Sequence, residues 1–192
     1  MTPDRSPSAP SERVSRGVVP ASLRFSLGVV VATLTIALGA QISIPMVPVP
    51  MTLQTLAVLG SGLVLGPRLG VSAAVLYAGL VVCGLPVLAD GATAGGTAFL
   101  KLKSAGYVAG FVAGAGVAGW VYEQRPSVWG ALLGGLLGHV AVLACGVPVL
   151  AGWIGMSAAI EYGLVPFLPG AVVKSALAAG IAWGARRASK TR

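Results

Sequence analysis

A lysine lies inside an apolar stretch of this chain, where a charged side chain is expensive and needs a partner or a function. This residue is Lys174, within the apolar run of residues 165–185. An ammonium group at such a position can bind an anion. It can equally extend along its own methylene groups to reach lipid headgroups. The sequence leaves both uses open.

A second cationic position precedes another apolar run. Lys103, with Lys101 close by, comes shortly before Tyr107 and the run of residues 106–122. The free N–H groups and the positive dipole end at a helix N-terminus favour carboxylates, so this cluster could bind one. Lysine and tyrosine are also common anchors at the membrane interface, and this alternative stays open.

Two further polar side chains could contact a ligand. Gln54 lies just inside a short apolar run, and its amide offers two donors and two acceptor sites. It could bind a polar ligand or a neighbouring helix. Asp90 follows a Gly-Leu-Pro-Val-Leu-Ala sequence and could accept N–H donors from a ligand or pair with a lysine.

No arrangement typical of an enzyme or a metal site is present in the sequence. There is no nucleophile elbow, phosphate loop or Rossmann glycine pattern. The single histidine, His139, has no acidic residue near it in sequence, so we predict a hydrogen-bonded helix residue rather than a metal ligand. Cys83 and Cys145 fall inside apolar runs, which argues against a disulfide. We therefore expect neither catalysis, nor a metal, nor a cofactor.

The composition requires a solvent that accepts apolar surface. The chain has 192 residues, of which 56% are hydrophobic and only 9% charged, whereas about a quarter of a soluble domain is charged. The 28 glycines also suit helices that approach closely in a bilayer. The sequence predicts an all-α integral membrane protein.

Six apolar runs suggest six transmembrane helices. They cover about residues 23–44, 52–65, 69–87, 106–122, 128–152 (interrupted at Pro148) and 165–185. We expect a six-helix transmembrane domain over 23–186, preceded by a disordered cytoplasmic tail (1–22) and followed by a basic cytoplasmic tail (187–192). Small residues at Gly28 and Ala32 in the first run could let another helix approach closely.

The net charge of +8 follows the positive-inside rule rather than forming a nucleic-acid surface. With both termini cytoplasmic, ten of the thirteen Lys and Arg residues lie inside, and only Lys101 and Lys103 lie outside. No basic stripe interleaved with aromatic residues is present, so nucleic acid is not an expected partner. The longer connections, at 45–51, 88–105 and 153–164, would then face outward.

Four motifs follow one another along the chain. In the first, residues 47–59 read Val-Pro-Val-Pro-Met-Thr-Leu-Gln-Thr-Leu-Ala-Val-Leu and are followed by Leu-Gly-Pro-Arg-Leu-Gly at 65–70. The second is Gly-Leu-Pro-Val at 84–87, and the third is Gly-Tyr at 106–107 followed by Gly-Phe at 110–111. The fourth is Pro-Phe-Leu-Pro-Gly at 166–170 with Lys174. Together they resemble the BioY family, the substrate-binding S components of energy-coupling-factor (ECF) biotin importers, whose last motif is Pro-Phe-hydrophobic-Pro-Gly-Asp-x-x-Lys.

This resemblance implies a six-helix S-component bundle in the bacterial inner membrane, crossing it several times. Biotin would bind near the outer face, beneath the loops that join helices one to two and three to four. The partners implied are a transmembrane coupling subunit and two ATPases, whose hydrolysis of ATP would reorient the S component inward. Gly28 and Ala32 would contact the coupling subunit.

The resemblance also suggests how biotin is held. Gln54 and Asp90 would contact the ureido end, while Lys103, Tyr107 and Lys174 would hold the carboxylate.

The chain departs from the family at one motif position, where Ala171 replaces the usual aspartate. We expect either that Asp90 substitutes for this acid or that the substrate is a related carboxylate such as lipoate or dethiobiotin. A membrane scaffold protein without a ligand is the remaining alternative.

Overall fold

The computed structural model describes residues 20–190, which form a bundle of α-helices with one small β-hairpin. The helices of this part of the chain are α1 (Ala21–Ala40), α2 (Gln54–Leu65), α3 (Pro67–Val82), α4 (Ala105–Gln124), α5 (Val128–Ile154), α6 (Met156–Gly163) and α7 (Phe167–Lys190). Strands β1 (Ser43–Ile44) and β2 (Met51–Thr52) pair antiparallel between α1 and α2. Short 3₁₀ turns at Ala89–Gly91 and Gly96–Lys101 lie between α3 and α4.

Each predicted apolar run contains a helix, but several ends differ from the prediction. The first run ends earlier than predicted because residues 43 and 44 pair with β2. The third ends at Val82, where Gly84 takes a left-handed φ of 82° and is soon followed by Pro86. Glycine adopts this conformation without steric cost and proline cannot continue a helix, so the chain turns here.

The predicted interruption at Pro148 is wrong, because α5 continues through it to Ile154. Pro148 lies on an exposed side of α5. A membrane helix can keep a proline where its surroundings compensate for the missing N–H. The short helix α6 then occupies part of the connection that was predicted as a loop.

Among the described residues, four helices are long and apolar enough to cross a membrane. These are α1, α4, α5 and α7, while α2 and α3 are shorter apolar helices of 12 and 16 residues. Within its apolar window α4 is 67% buried, against 28% for α1 and α7, so α4 is the central helix. The protein is thus a mostly helical, multi-pass membrane protein.

Glycines set the contact between α2 and the central helix. A Cβ atom added at Gly62 would lie within 3.0 Å of the Ala115 carbonyl carbon of α4 and closer still to its oxygen. At Gly60, two residues earlier and on another side of α2, an added Cβ would meet nothing within 4 Å. Only a residue without a side chain allows the two backbones to approach this closely at Gly62.

The small residues of α1 pack inside the chain. Ala32 is only 4% exposed, and a Cβ at Gly28 would meet Leu69 of α3 at 3.3 Å. Next to Ala32, Thr33 Oγ1 lies 3.2 Å from the Ala73 carbonyl oxygen of α3. The predicted close approach of a helix is therefore made by α3. The exposed apolar face of α1 consists of Leu27, Val31, Leu34 and Leu38.

Both predicted tails fall partly outside the described residues. Positions 1–19 of the first tail and 191–192 of the second are not described, while α1 begins at Ala21 and α7 continues to Lys190. Near the end of α7, Arg186 stacks over the Tyr122 ring of α4 at 5.9 Å. The last turns of α7 thus lie beside the C-terminal end of α4.

Candidate ligand-binding site

A cavity of about 340 Å³ lies among the hairpin, the loops that precede α4, and the helices beneath them. Its wall is built by residues from the hairpin, the first turns of α2, α4 and α7, the middle of α5, and the segments near residues 88–92 and 101–104. Pockets that hold small ligands begin at about 300 Å³. Most of the wall is apolar, with Phe111, Val142 and Phe167 among its larger side chains.

The charged groups of this wall are all cationic. Lys101, Lys103 and Lys174 line the cavity together with His139, and no Asp or Glu of the described residues does. A pocket with ammonium groups and no carboxylate favours ligands that carry an anionic or strongly accepting oxygen group. The cavity is therefore suited to a small, largely apolar molecule with an acid group.

Lys174 is the buried cation of the site. It lies about two turns into α7 and is only 8% exposed. Its Nζ donates to the Thr52 carbonyl oxygen at 2.6 Å and to Thr55 Oγ1 at 3.2 Å. A lysine ammonium has three N–H groups, so these two bonds leave one for a ligand. Lys174 therefore lies in the cavity wall, and its predicted contact with an anion stays a prediction.

Gln54 is held by a chain of hydrogen bonds that crosses the site. Thr52 Oγ1 donates to Gln54 Oε1 at 3.0 Å, Gln54 Nε2 donates to the Tyr77 hydroxyl, and Tyr77 donates to the Val87 carbonyl oxygen at 2.9 Å. Gln54 is 6% exposed and lines the cavity. Its two predicted uses, a ligand contact and a bond to a neighbouring helix, are therefore compatible.

Tyr107 lines the cavity from α4, but its hydroxyl already has an acceptor. It donates to the Gly163 carbonyl oxygen of α6 at 2.8 Å, and its ring stacks on Phe167 at 5.8 Å. A ligand carboxylate would have to compete with that carbonyl for the phenolic proton. The predicted carboxylate contact of Tyr107 stays a prediction.

Lys103 and Lys101 are exposed as well as lining the cavity, so they lie at its open side. Lys103 directly precedes Ser104, the residue before α4, and Lys101 lies two positions before Lys103. Their position at the rim suits an initial attraction of an anion more than a buried contact.

Asp90 lies beside the cavity wall and joins two of the segments that border it. Its Oδ1 accepts from Ser43 Oγ of the hairpin at 2.9 Å, while Leu88, Ala89 and Ala92 around it line the cavity. Asp90 has a positive φ of 55°, a conformation that aspartate tolerates better than most residues. Asp90 itself does not line the cavity, so its predicted contact with a ligand stays a prediction.

The contribution of α5 to the cavity was missed in the sequence. His139 is indeed a hydrogen-bonded helix residue, with Nδ1 lying 3.0 Å from Ser175 Oγ and 3.1 Å from the Gly135 carbonyl oxygen. It also lines the cavity, as do Val142 and Leu143 of the same helix. Because α5 is almost uniformly apolar, no periodic pattern marks which of its faces the cavity uses; the lone histidine is the available signal.

Comparison with known proteins identifies the family. A family model described as the BioY family matches residues 14–191. The chain belongs to the BioY family. The resemblance drawn from four sequence motifs is thereby confirmed.

Individual BioY relatives align with this chain over most of their length. The chain is 40% identical to the biotin transporter BioY of Thermotoga maritima over 144 residues, which cover 74% of this chain and 84% of the relative. It is 35% identical to the biotin transporter BioY of Rhizobium etli over 148 residues, or 72% and 78% of the two chains.

A solved structure shares the BioY fold seen here. The crystal structure of the S-component for biotin from an ECF-type ABC transporter superposes with a TM-score of 0.77 at 24% identity. The superposition covers 88% of this chain and 95% of that one.

Proposed function

We propose that this protein is the biotin-binding S component of an ECF-type importer. The observation that carries the proposal is the cavity, which is enclosed by apolar side chains and contains cationic but no acidic groups among the described residues. Biotin combines a bicyclic ring that is apolar apart from its ureido group, an aliphatic chain and one carboxylate, which matches this wall. The BioY relatives named as biotin transporters support the same substrate. The protein acts by binding and reorientation and is not an enzyme.

The residues of the wall divide into three roles. Lys174 binds the carboxylate, aided by Lys103 at the rim. Gln54, fixed by Thr52 and Tyr77, contacts the ureido group. The apolar side chains bury the ring and chain, which contributes about 25 cal/mol for each Å² removed from water.

The orientation proposed here places the cavity on the outer face of a bacterial inner membrane. Six helices, α1 to α5 and α7, cross it, with both termini cytoplasmic. The basic residues at the tight turns and at the end of α7, namely Arg68, Arg125, Arg186 and Arg187, support this arrangement because they mark the end of the bundle away from the cavity loops.

The partners proposed are a transmembrane coupling subunit and two ATPases. The exposed apolar face of α1, with Leu27, Val31, Leu34 and Leu38, offers lipid-facing surface that a coupling subunit could cover. Gly28 and Ala32 pack within this chain next to that face, and their predicted contact with the coupling subunit stays a prediction.

The substrate is tested by thermal unfolding of the purified protein in detergent with biotin, dethiobiotin and lipoate at equal concentration. A ligand that binds only the folded state raises the midpoint in proportion to the logarithm of its concentration over Kd. We expect biotin to raise the midpoint most. A larger shift with lipoate or dethiobiotin would contradict biotin as the substrate, and no shift with any of them would favour a scaffold protein.

A second test concerns the acid that Ala171 lacks. We propose that Asp90 supplies it and contacts the ureido N–H groups, in support of which its neighbours Leu88 and Ala89 line the cavity. A hydrogen bond to a charged group is worth about 1.5–3 kcal/mol, so Asp90→Ala should weaken biotin binding about 10- to 100-fold.

The matched control for Asp90 is Ser43→Ala, which removes the same contact between loops but keeps the carboxylate. Equilibrium binding of biotin to both variants separates the two roles. If the biotin Kd of Asp90→Ala equals that of the parent, or is raised no more than that of Ser43→Ala, Asp90 does not replace the acid that is missing at position 171.

A further inference from the structure

A histidine in the cavity wall has one ring nitrogen without a partner. His139 is 6% exposed and lines the cavity from α5. Its Nδ1 lies 3.0 Å from Ser175 Oγ, whereas Nε2 is buried and has no hydrogen-bond partner among the described residues. Buried polar atoms are nearly always satisfied, so an unsatisfied one in a binding cavity needs an explanation.

The surroundings of Nδ1 determine which nitrogen carries the proton. Ser175 is fully buried, and in the described part of the chain its hydroxyl has no hydrogen-bond acceptor other than Nδ1. The Gly135 carbonyl oxygen, 3.1 Å from Nδ1, has a second lone pair that could accept Nδ1–H, but the buried serine hydroxyl would then have no acceptor. The tautomer that satisfies both groups has the serine hydroxyl donating to Nδ1. An imidazole that accepts at Nδ1 is neutral and carries its proton on Nε2.

The Lys174 ammonium and the His139 Nε2–H are thus two donors on residues that line the same cavity. Ser175 directly follows Lys174 on α7, so the residue that orients His139 is adjacent to the buried cation of the site. Ala171, one turn earlier on α7, also lines the cavity and offers only a methyl group. Lys174 and His139 therefore place N–H donors close together in this part of the wall, and no acid of the described residues lines it.

We propose that His139 contacts the bound ligand by donating its Nε2–H to an oxygen of the group that Lys174 binds, and that Ser175 is the positioning residue that fixes this tautomer. The inference rests on the proposed function, with biotin as the ligand. Since Nε2 is buried, the contact requires a local adjustment of wall side chains, a common change at binding surfaces.

The experiment compares His139→Gln with His139→Phe in the full-length protein. Both variants lose the contact with Ser175, so a purely structural role affects them alike. Glutamine can place an amide N–H near the position of Nε2, whereas phenylalanine fills the ring volume without a donor. We expect biotin Kd to rise at least about tenfold in His139→Phe and by less than about threefold in His139→Gln.

Three outcomes are informative. Equal Kd values for the two variants, whether at the parent's level or weakened together, would overturn the ligand contact. Absence of biotin binding by the folded parent would overturn the proposed function itself, and this inference with it. A weakening confined to His139→Phe supports both.

Ser175→Ala keeps the inference testable if His139→Phe does not fold. Without the serine hydroxyl, Nδ1–H can donate to the Gly135 carbonyl, which removes the proton from Nε2. We expect a several-fold rise in biotin Kd with His139 still present. A Ser175→Ala variant that binds biotin like the parent would contradict the assigned tautomer and the positioning role.

Discussion

Replacing Lys174 by methionine is expected to weaken biotin binding by at least about 30-fold, because truncating one partner of a buried charge pair costs about 2–5 kcal/mol. Methionine keeps most of the side-chain volume but has no charge or N–H donor. Lys174 is 8% exposed and lines the cavity, so nothing in bulk water replaces its contact with a carboxylate. Equilibrium binding of biotin to the purified variant measures the effect.

The same substitution should have little effect on the unliganded protein. Within residues 20–190, the Lys174 ammonium is bonded only to neutral oxygens, those of Thr52 and Thr55, and no acid lines its cavity. Removing a buried cation of this kind removes its desolvation cost together with the two bonds. Lys190→Met, about 24 Å farther along α7, is the matched control. Equal biotin affinity in Lys174→Met and Lys190→Met would contradict the carboxylate site.

Gly62→Ala adds one methyl group, and we expect it to lower the stability of the protein more than a methyl group added anywhere else on α2. The new Cβ would overlap the Ala115 carbonyl of α4, so the two backbones must move apart. Overpacking of this kind costs about 1–3 kcal/mol. The thermal unfolding midpoint in one detergent measures the change.

Gly60→Ala is the control on the same helix, since an added Cβ there meets nothing within 4 Å. Alanine has the higher helix propensity, so this variant should be as stable as the parent or slightly more so. Equal midpoints for the two variants would contradict the close α2–α4 contact.

The apolar runs predicted where helices form but not how the connections between them fold. Hydropathy identifies a segment such as α4 clearly because nearly all of its residues are apolar. It carries no signal for the hairpin of β1 and β2, whose two-residue strands depend on pairing across the loop. The break assigned to Pro148 followed a rule for soluble helices, and α5 passes through that residue without ending.

In the candidate site, too, local sequence predicted some residues, while contacts between distant residues were not predicted. Gln54 and Lys174 stood out because polar groups are rare in apolar runs, and the cavity includes both. The pairing of His139 with Ser175 joins residues 36 positions apart on two helices. Such a contact depends on the packing of α5 against α7, which no local pattern encodes. Asp90 was singled out for its charge, yet its hydrogen bond goes to Ser43, another long-range partner.

Titration of the purified parent protein with radiolabelled biotin tests the central claim most directly. Saturable binding with one biotin per chain, displaced by unlabelled biotin, is the predicted result. A folded, monodisperse protein that binds no biotin over the same concentration range would contradict the account of this cavity as a biotin site.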